Sequence, residues 1–204
     1  MSIFAQWLDT YFAGFDRAIL AFYHEMAEMI GVIATPILKV ISIIGDDGIG
    51  LIILGLILLF FKQTRKSGFA VLIALLIGTL ITNETIKPLV QRIRPFNSGV
   101  AEYVEWWKFV GAMEVGQFSF PSGHTTSAMA VMMALGFTQQ KRWVWLVSAA
   151  FVMLTGMSRN YFMVHYPTDI VVGAIAGAVA GILAALLVKH IANEWSKRSK
   201  RHKA

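Results

Sequence analysis

The stretch Ser158-Arg-Asn-Tyr-Phe-Met-Val-His-Tyr-Pro-Thr-Asp169 decides how this chain is read. It sets Arg159, His165 and Asp169 in a short polar segment between two long apolar runs. Charged groups at the mouth of a membrane helix are costly to keep there unless they do chemistry. Two further polar knots occupy comparable places: Lys87 to Pro95 (Lys-Pro-Leu-Val-Gln-Arg-Ile-Arg-Pro) and Pro121 to His124 (Pro-Ser-Gly-His). The expectation is that all three converge on one phosphate, with the rest of the chain as scaffold in a bilayer.

Composition agrees with a membrane setting. At 204 residues the chain suits one domain spanning 1–204, and 56% of it is hydrophobic, too much for an ordinary soluble domain. There is no cysteine, which excludes disulfides, thiolate metal sites and a cysteine nucleophile. The N-terminus lacks the basic segment of a signal peptide, so no cleavage is expected. The net charge of +6 does not form a nucleic-acid stripe, because eleven of the 18 Lys and Arg gather in three places. These are Lys62, Arg65 and Lys66; Lys141 and Arg142; and Lys189, Lys197, Arg198, Lys200, Arg201 and Lys203. Such clusters flank membrane spans, and no nucleic-acid partner is expected.

Residues 3–25 mix aromatic and charged side chains, which suits an interfacial helix within 1–25. Apolar runs then follow near 27–45, 48–62, 67–86, 123–138, 143–158 and 169–191. A span needs about 20 residues, so the shorter runs borrow flanking residues or thin the bilayer. The predicted fold is an all-α membrane protein, a six-transmembrane-helix bundle over 27–191 with a basic tail at 192–204. Alternating the spans places all eleven basic residues on one side, which the positive-inside rule makes cytoplasmic, C-terminus included. The turn at Asp46-Asp47, the loop 91–122 and the segment 158–168 then fall together on the extracytoplasmic side, carrying all three knots.

The loop 91–122 holds Tyr103, Trp106, Trp107, Phe109 and Phe118 with Glu102, Glu105 and Lys108. It reads as an amphipathic lid at the outer interface or as a simple anchor. Gly173, Gly177 and Gly181 give the last span a small-residue stripe that lets another helix approach closely. That partner is either another helix of this chain or a second copy, a possible homodimer. The tail reads as a topological anchor, or more weakly as a contact for anionic lipid.

Each knot has its own chemistry. Pro121 suits a first helical turn, Gly123 allows close backbone approach, and a helix N-terminus there binds phosphate. Ser122 adds a hydroxyl donor, and His124 stands beside the anion, placed to give a proton. The alternative is a helix cap with an interfacial histidine. Pro95 fixes where Arg94 points. A guanidinium pairs two phosphate oxygens, while Lys87 supplies a point charge. Arg92 reads as a helper or a headgroup contact, outside the phosphate-binding set. His165 and Asp169 lie four apart, with Pro167 opening the last helix, so the carboxylate can orient the imidazole as nucleophile or base. A charged pair capping a helix is the alternative. Arg159 reaches the same anion from the preceding helix end.

Jointly the three knots resemble the signature of the type 2 phosphatidic acid phosphatase superfamily: a Lys before Arg-Pro, then Pro-Ser-Gly-His, then Ser-Arg, His and Asp. Lys87, Arg94 and Pro95, then Pro121 to His124, then Ser158, Arg159, His165 and Asp169 fill every slot. The resemblance implies dephosphorylation through a phosphohistidine, with no metal and no cofactor. His165 would be the nucleophile, Asp169 its orienting carboxylate and His124 the general acid. Lys87, Arg94, Ser122, Gly123 and Arg159 would hold the phosphate. The expected partner is a membrane lipid phosphate, undecaprenyl pyrophosphate first among them. Phosphatidylglycerophosphate and phosphatidic acid come next. A transporter or channel also buries charge, but usually at the midplane, and a metal hydrolase lacks a second carboxylate cluster.

Overall fold

The computed structural model describes residues 1–45, 48–116 and 118–201. Asp46 and Asp47, expected at a turn, and Lys203 of the tail lie outside them. The described residues form helices and no strand: α1 (Ile3–Tyr11), α2 (Ala13–Ile44), α3 (Ile49–Phe60), α4 (Arg65–Thr79), α5 (Lys87–Val90), α6 (Ala101–Phe109), α7 (Gly123–Gln139), α8 (Arg142–Tyr161) and α9 (Pro167–Arg201). A π-helical run, Leu80–Ile86, joins α4 to α5, so Arg65–Val90 is one rod of 26 residues. Among the described residues, three helices are long and apolar enough to cross a bilayer: Ala13–Ile44, Arg65–Val90 and Pro167–Arg198.

The bundle is built around α7 and α9, whose backbones nearly touch. A β-carbon added at Gly173, Gly177 or Gly181 would lie 2.7, 2.3 and 2.4 Å from the carbonyl oxygens of Ser122, Thr126 and Ala130. Only hydrogen fits there, and the glycine stripe of α9 is covered by a helix of its own chain. Without a strong hydrophobic drive between helices in lipid, such close packing supplies the association energy. Packed against the pair, α4 forms a shared core of Val71, Ala74, Ala130, Ala134, Ala180 and Ala184. α3 docks on α4 through Gly55 and Gly68, and Trp145 of α8 lies over Gly136 of α7.

α2 departs from expectation. Its N-terminal Asp16 bonds the backbone N–H of Thr168 at 3.0 Å, and Leu20 packs with Met163 and Tyr166. Further along, Ala27, Ala34 and Leu38 cluster with Tyr161, Phe162 and Val164. At its end Ser42 takes a bond from Arg159, and a β-carbon on Gly45 would meet the His124 ring. Both ends of this 32-residue helix therefore touch the same end of the bundle. α2 lies across that end, bent at Ile30 (φ −131°, ψ 16°), six residues before Pro36. The expected first span, 27–45, is thus not among the helices that run the length of the bundle, and the chain does not turn at residue 25 but at Phe12. Charge pattern alone misplaced this boundary, because Asp16 is buried in the protein rather than facing headgroups.

Aromatic residues of the loop 91–122 are likewise occupied by protein. Trp106 stacks on His24 of α2 at 5.1 Å, and Phe96 stacks on Trp107 at 4.6 Å. Arg17 pairs with Glu102 at 2.7 Å, fastening α6 to α2. At the opposite end α9 runs on through most of the expected tail to Arg201. Nothing in Ala192 to Arg201 breaks a helix, and Glu194 pairs with Lys197 one turn on at 2.8 Å.

Candidate active site

The π-helical run brings the first knot to the site. Thr79, Asn83 and Lys87, four apart, all reach one cavity of about 350 Å³. π-Bulges of this kind recur at functional sites, where they re-aim side chains. After α5 the chain reverses through Gln91 (φ 53°) and becomes extended at Arg94, as Pro95 requires. Ile93 pairs with Phe118, and Ser119 N–H bonds the Arg92 carbonyl at 2.8 Å, which pins the return of the loop.

Ser122 N-caps α7, and its own N–H bonds the Asp169 carbonyl at 3.1 Å, locking the second knot to the third. The Ser122 hydroxyl accepts from Thr125 Oγ1 at 3.1 Å and is buried, outside the cavity lining. Gly123 presents bare backbone: a β-carbon there would stand 3.2 Å from Asn83 Oδ1 and 4.0 Å from Lys87 Nζ. His124 opens onto the same cavity, as do Lys87, Arg94, Arg159 and His165.

Side-chain donors from other parts of the chain and from within the knot grip the main chain of the third knot. Asn160 donates to the His165 carbonyl at 2.9 Å, and Arg94 Nη1 donates to the Val164 carbonyl at 2.6 Å. Arg94 Nε also bonds the Gly116 carbonyl. The same Nη1 stands 3.2 Å from His165 Nε2. A guanidinium only donates, so Nε2 must carry the lone pair and Nδ1 the hydrogen. Nδ1 faces Asp169 Oδ2 at 3.4 Å, and that oxygen also accepts the Tyr166 N–H at 2.9 Å. Burial first, then Arg94, Arg159 and Lys87, push the His165 pKa well below its usual value, so the ring is neutral. Burial also lowers Arg94 to about 10, leaving it cationic at neutral pH.

Every residue expected at the site reaches this end of the bundle. Ser122 and Asp169 stand behind the cavity wall and the others line it. Sequence reasoning missed Asn83 and Glu114, which also line it, and Gly45, whose lack of a side chain makes room for the His124 ring. It also left out Arg92, which is buried and bonds Asp169 Oδ1 at 2.7 Å. The visible hint was an arginine two residues before Arg94, inside the same knot.

A separate apolar groove lies between α3 and α8. Ile44, Gly50 and Ala128 line one part of it, close in sequence to the cavity residues Gly45, Gly48 and Ser127. It continues over Leu54, Leu135 and Val147, and reaches Thr64 and Lys141.

Residues 67–192 match the PAP2 superfamily, and the chain belongs to that superfamily. It is 32% identical over 117 residues to an undecaprenyl-diphosphatase of Sulfolobus acidocaldarius, covering 57% of this chain and 53% of that protein. It is 28% identical over 133 residues to phosphatidylglycerophosphatase B of Bacillus subtilis, covering 60% and 58%. The matches thus span little more than half the length of these curated relatives. The crystal structure of Aquifex aeolicus LpxE superposes with a TM-score of 0.66 at 21% identity, over 81% of this chain and 93% of that one. A transmembrane PAP2-type phosphatidylglycerolphosphate phosphatase from Bacillus subtilis gives 0.64 at 23%, over 94% and 92%. Long apolar helices and a fold shared with transmembrane PAP2 proteins make this an integral membrane protein.

Proposed function

We propose that this chain is a membrane lipid phosphatase acting through a phosphohistidine on His165. The observation that carries this reading is His165, whose ring lines a cavity shared with Lys87, Arg94 and Arg159, with Nε2 held by Arg94 Nη1 at 3.2 Å and Asp169 behind Nδ1. Nε2 attacks phosphorus, the bond to the leaving oxygen breaks, and His124 gives that oxygen its proton. Water then attacks the phosphohistidine, passes a proton to His124, and the N–P bond breaks to release phosphate. Lys87, Arg94, Arg159 and the Gly123 N–H hold the equatorial oxygens, where electrostatic stabilisation matters most. Ser122 serves this set by capping α7, since its hydroxyl stands outside the cavity lining.

The substrate is a long-chain lipid phosphate whose tail follows the groove between α3 and α8. Undecaprenyl diphosphate is the first choice, supported by the name of the Sulfolobus relative and by the number of cations in the cavity. Phosphatidylglycerophosphate and phosphatidic acid are the alternatives. Purified protein is expected to release phosphate from undecaprenyl diphosphate with the highest kcat/KM of the three, undiminished by EDTA. No release from any of them, or loss on chelation, overturns the reading.

In this proposal α3, the Arg65–Val90 rod, α7, α8 and α9 cross the bilayer, and α1 and α2 rest at its outer face. The basic turns and the end of α9 are cytoplasmic, and the catalytic cavity is extracytoplasmic. With no native cysteine to interfere, Glu114→Cys in intact cells is expected to react with a membrane-impermeant maleimide, and Lys141→Cys is not. The reverse pattern inverts the topology.

A further inference from the structure

Behind His165 lies a buried ionic node that the phosphate chemistry does not itself use. Arg92 is 1% exposed and spends four of its five N–H donors on protein. Nε bonds Asp9 at 2.7 Å, and Nη2 bonds Asp16 at 2.8 Å. Nη1 bonds both Thr168 Oγ1 and Asp169 Oδ1 at 2.7 Å. The guanidinium carbon stands 3.8 Å from the centre of the Tyr166 ring. Asp16 in turn accepts the Thr168 N–H at 3.0 Å and the Thr168 hydroxyl at 2.9 Å, capping α9 from another helix.

Asp169 is fully buried, and its two oxygens divide the work: Oδ2 faces His165 while Oδ1 is held by Arg92. A buried carboxylate stripped of its cation would take up a proton or turn to another donor, and either change loosens its hold on His165. Asp9 and Asp16 belong to α1 and α2, outside the 67–192 stretch that matches the superfamily. We propose that Asp16 and Arg92 are positioning residues for His165, acting through Asp169, so that the N-terminal strap across the bundle end is a working part of the active site. This rests on the reading of His165 as nucleophile.

The test uses full-length protein in detergent with undecaprenyl diphosphate. Arg92→Gln is expected to lower kcat about 100-fold, with KM and inhibition by inorganic phosphate changed less than about threefold, because Arg92 does not line the phosphate cavity. Arg92→Lys restores little, since an ammonium cannot reproduce the planar set of bonds. Asp16→Asn is expected to cost about tenfold in the native background and almost nothing in Arg92→Gln, because both act through one chain of contacts. Additive losses, an unchanged kcat, or a fall traced wholly to KM overturn the proposal. Should Arg92→Gln not fold, Asp9→Asn and Asp16→Asn carry the same kcat-against-KM reading, with thermal unfolding measured alongside. His165→Ala run in parallel separates the two claims. If it is inactive while Arg92→Gln is fully active, only the node is refuted; if it is active, the nucleophile reading fails.

Discussion

His165→Ala is expected to lower kcat by about four orders of magnitude or more, since removing a nucleophile leaves only binding and electrostatic stabilisation behind. The loss should be one of chemistry rather than of folding. The His165 backbone is fastened independently of its ring: Asn160 holds its carbonyl, Arg94 holds the preceding one, and the Tyr166 N–H is held by Asp169. Thermal unfolding of the purified variant should therefore stay close to that of the native protein, while phosphate release disappears. Activity within tenfold of native would remove His165 as nucleophile.

Gly177→Leu carries the largest expected effect on stability. A β-carbon at 177 would come within 2.3 Å of the Thr126 carbonyl and 2.8 Å of the Met129 β-carbon, both on α7. Neither is the flexible end of a side chain, so α7 and α9 must separate along their contact. Overpacking of this kind costs about 1–3 kcal/mol in soluble cores and occasionally more. Here it should exceed about 3 kcal/mol, because the close helix approach is itself the main attraction between the pair. His124 and Asp169, two of the proposed catalytic groups, belong to these two helices, which the Ser122 N–H bond to the Asp169 carbonyl also ties together, so activity should fall with stability. Gly14→Ala, where nothing lies within 4 Å, is the control and should be within about 0.5 kcal/mol of native. Equal unfolding temperatures for the two variants would show that the α7–α9 contact is looser than these distances state.

The site was legible where chemistry is local. His165 and Asp169 lie one helical turn apart, so their meeting needs only that α9 begin near Pro167, which a proline at a first turn announces. Ser122 and Gly123 could be placed at a helix N-terminus for the same reason. Arg94 was readable because Pro95 restricts its backbone. In each case the neighbouring residue in the chain carried the geometry.

Other features depended on distant partners. The glycines of α9 promised a close neighbour without saying which, and the answer, α7, follows from how two helices far apart in sequence dock. Arg92 could be read either as a helper or as a headgroup contact, because its partners Asp9 and Asp16 lie more than 70 residues away. Those two aspartates looked interfacial because burial of a charge is visible only once its counter-charge is in place. α2 read as a span because apolar length is the same whether a helix crosses a membrane or lies across a bundle end. The amino-acid order alone determined that the chain is helical, membrane-embedded and armed with three polar knots, since periodicity, hydropathy and turn chemistry act between near neighbours. Only the tertiary structure decided which helix lies over the site, which glycine faces which backbone and which cation holds Asp169, because those choices depend on contacts between segments that the chain itself keeps far apart.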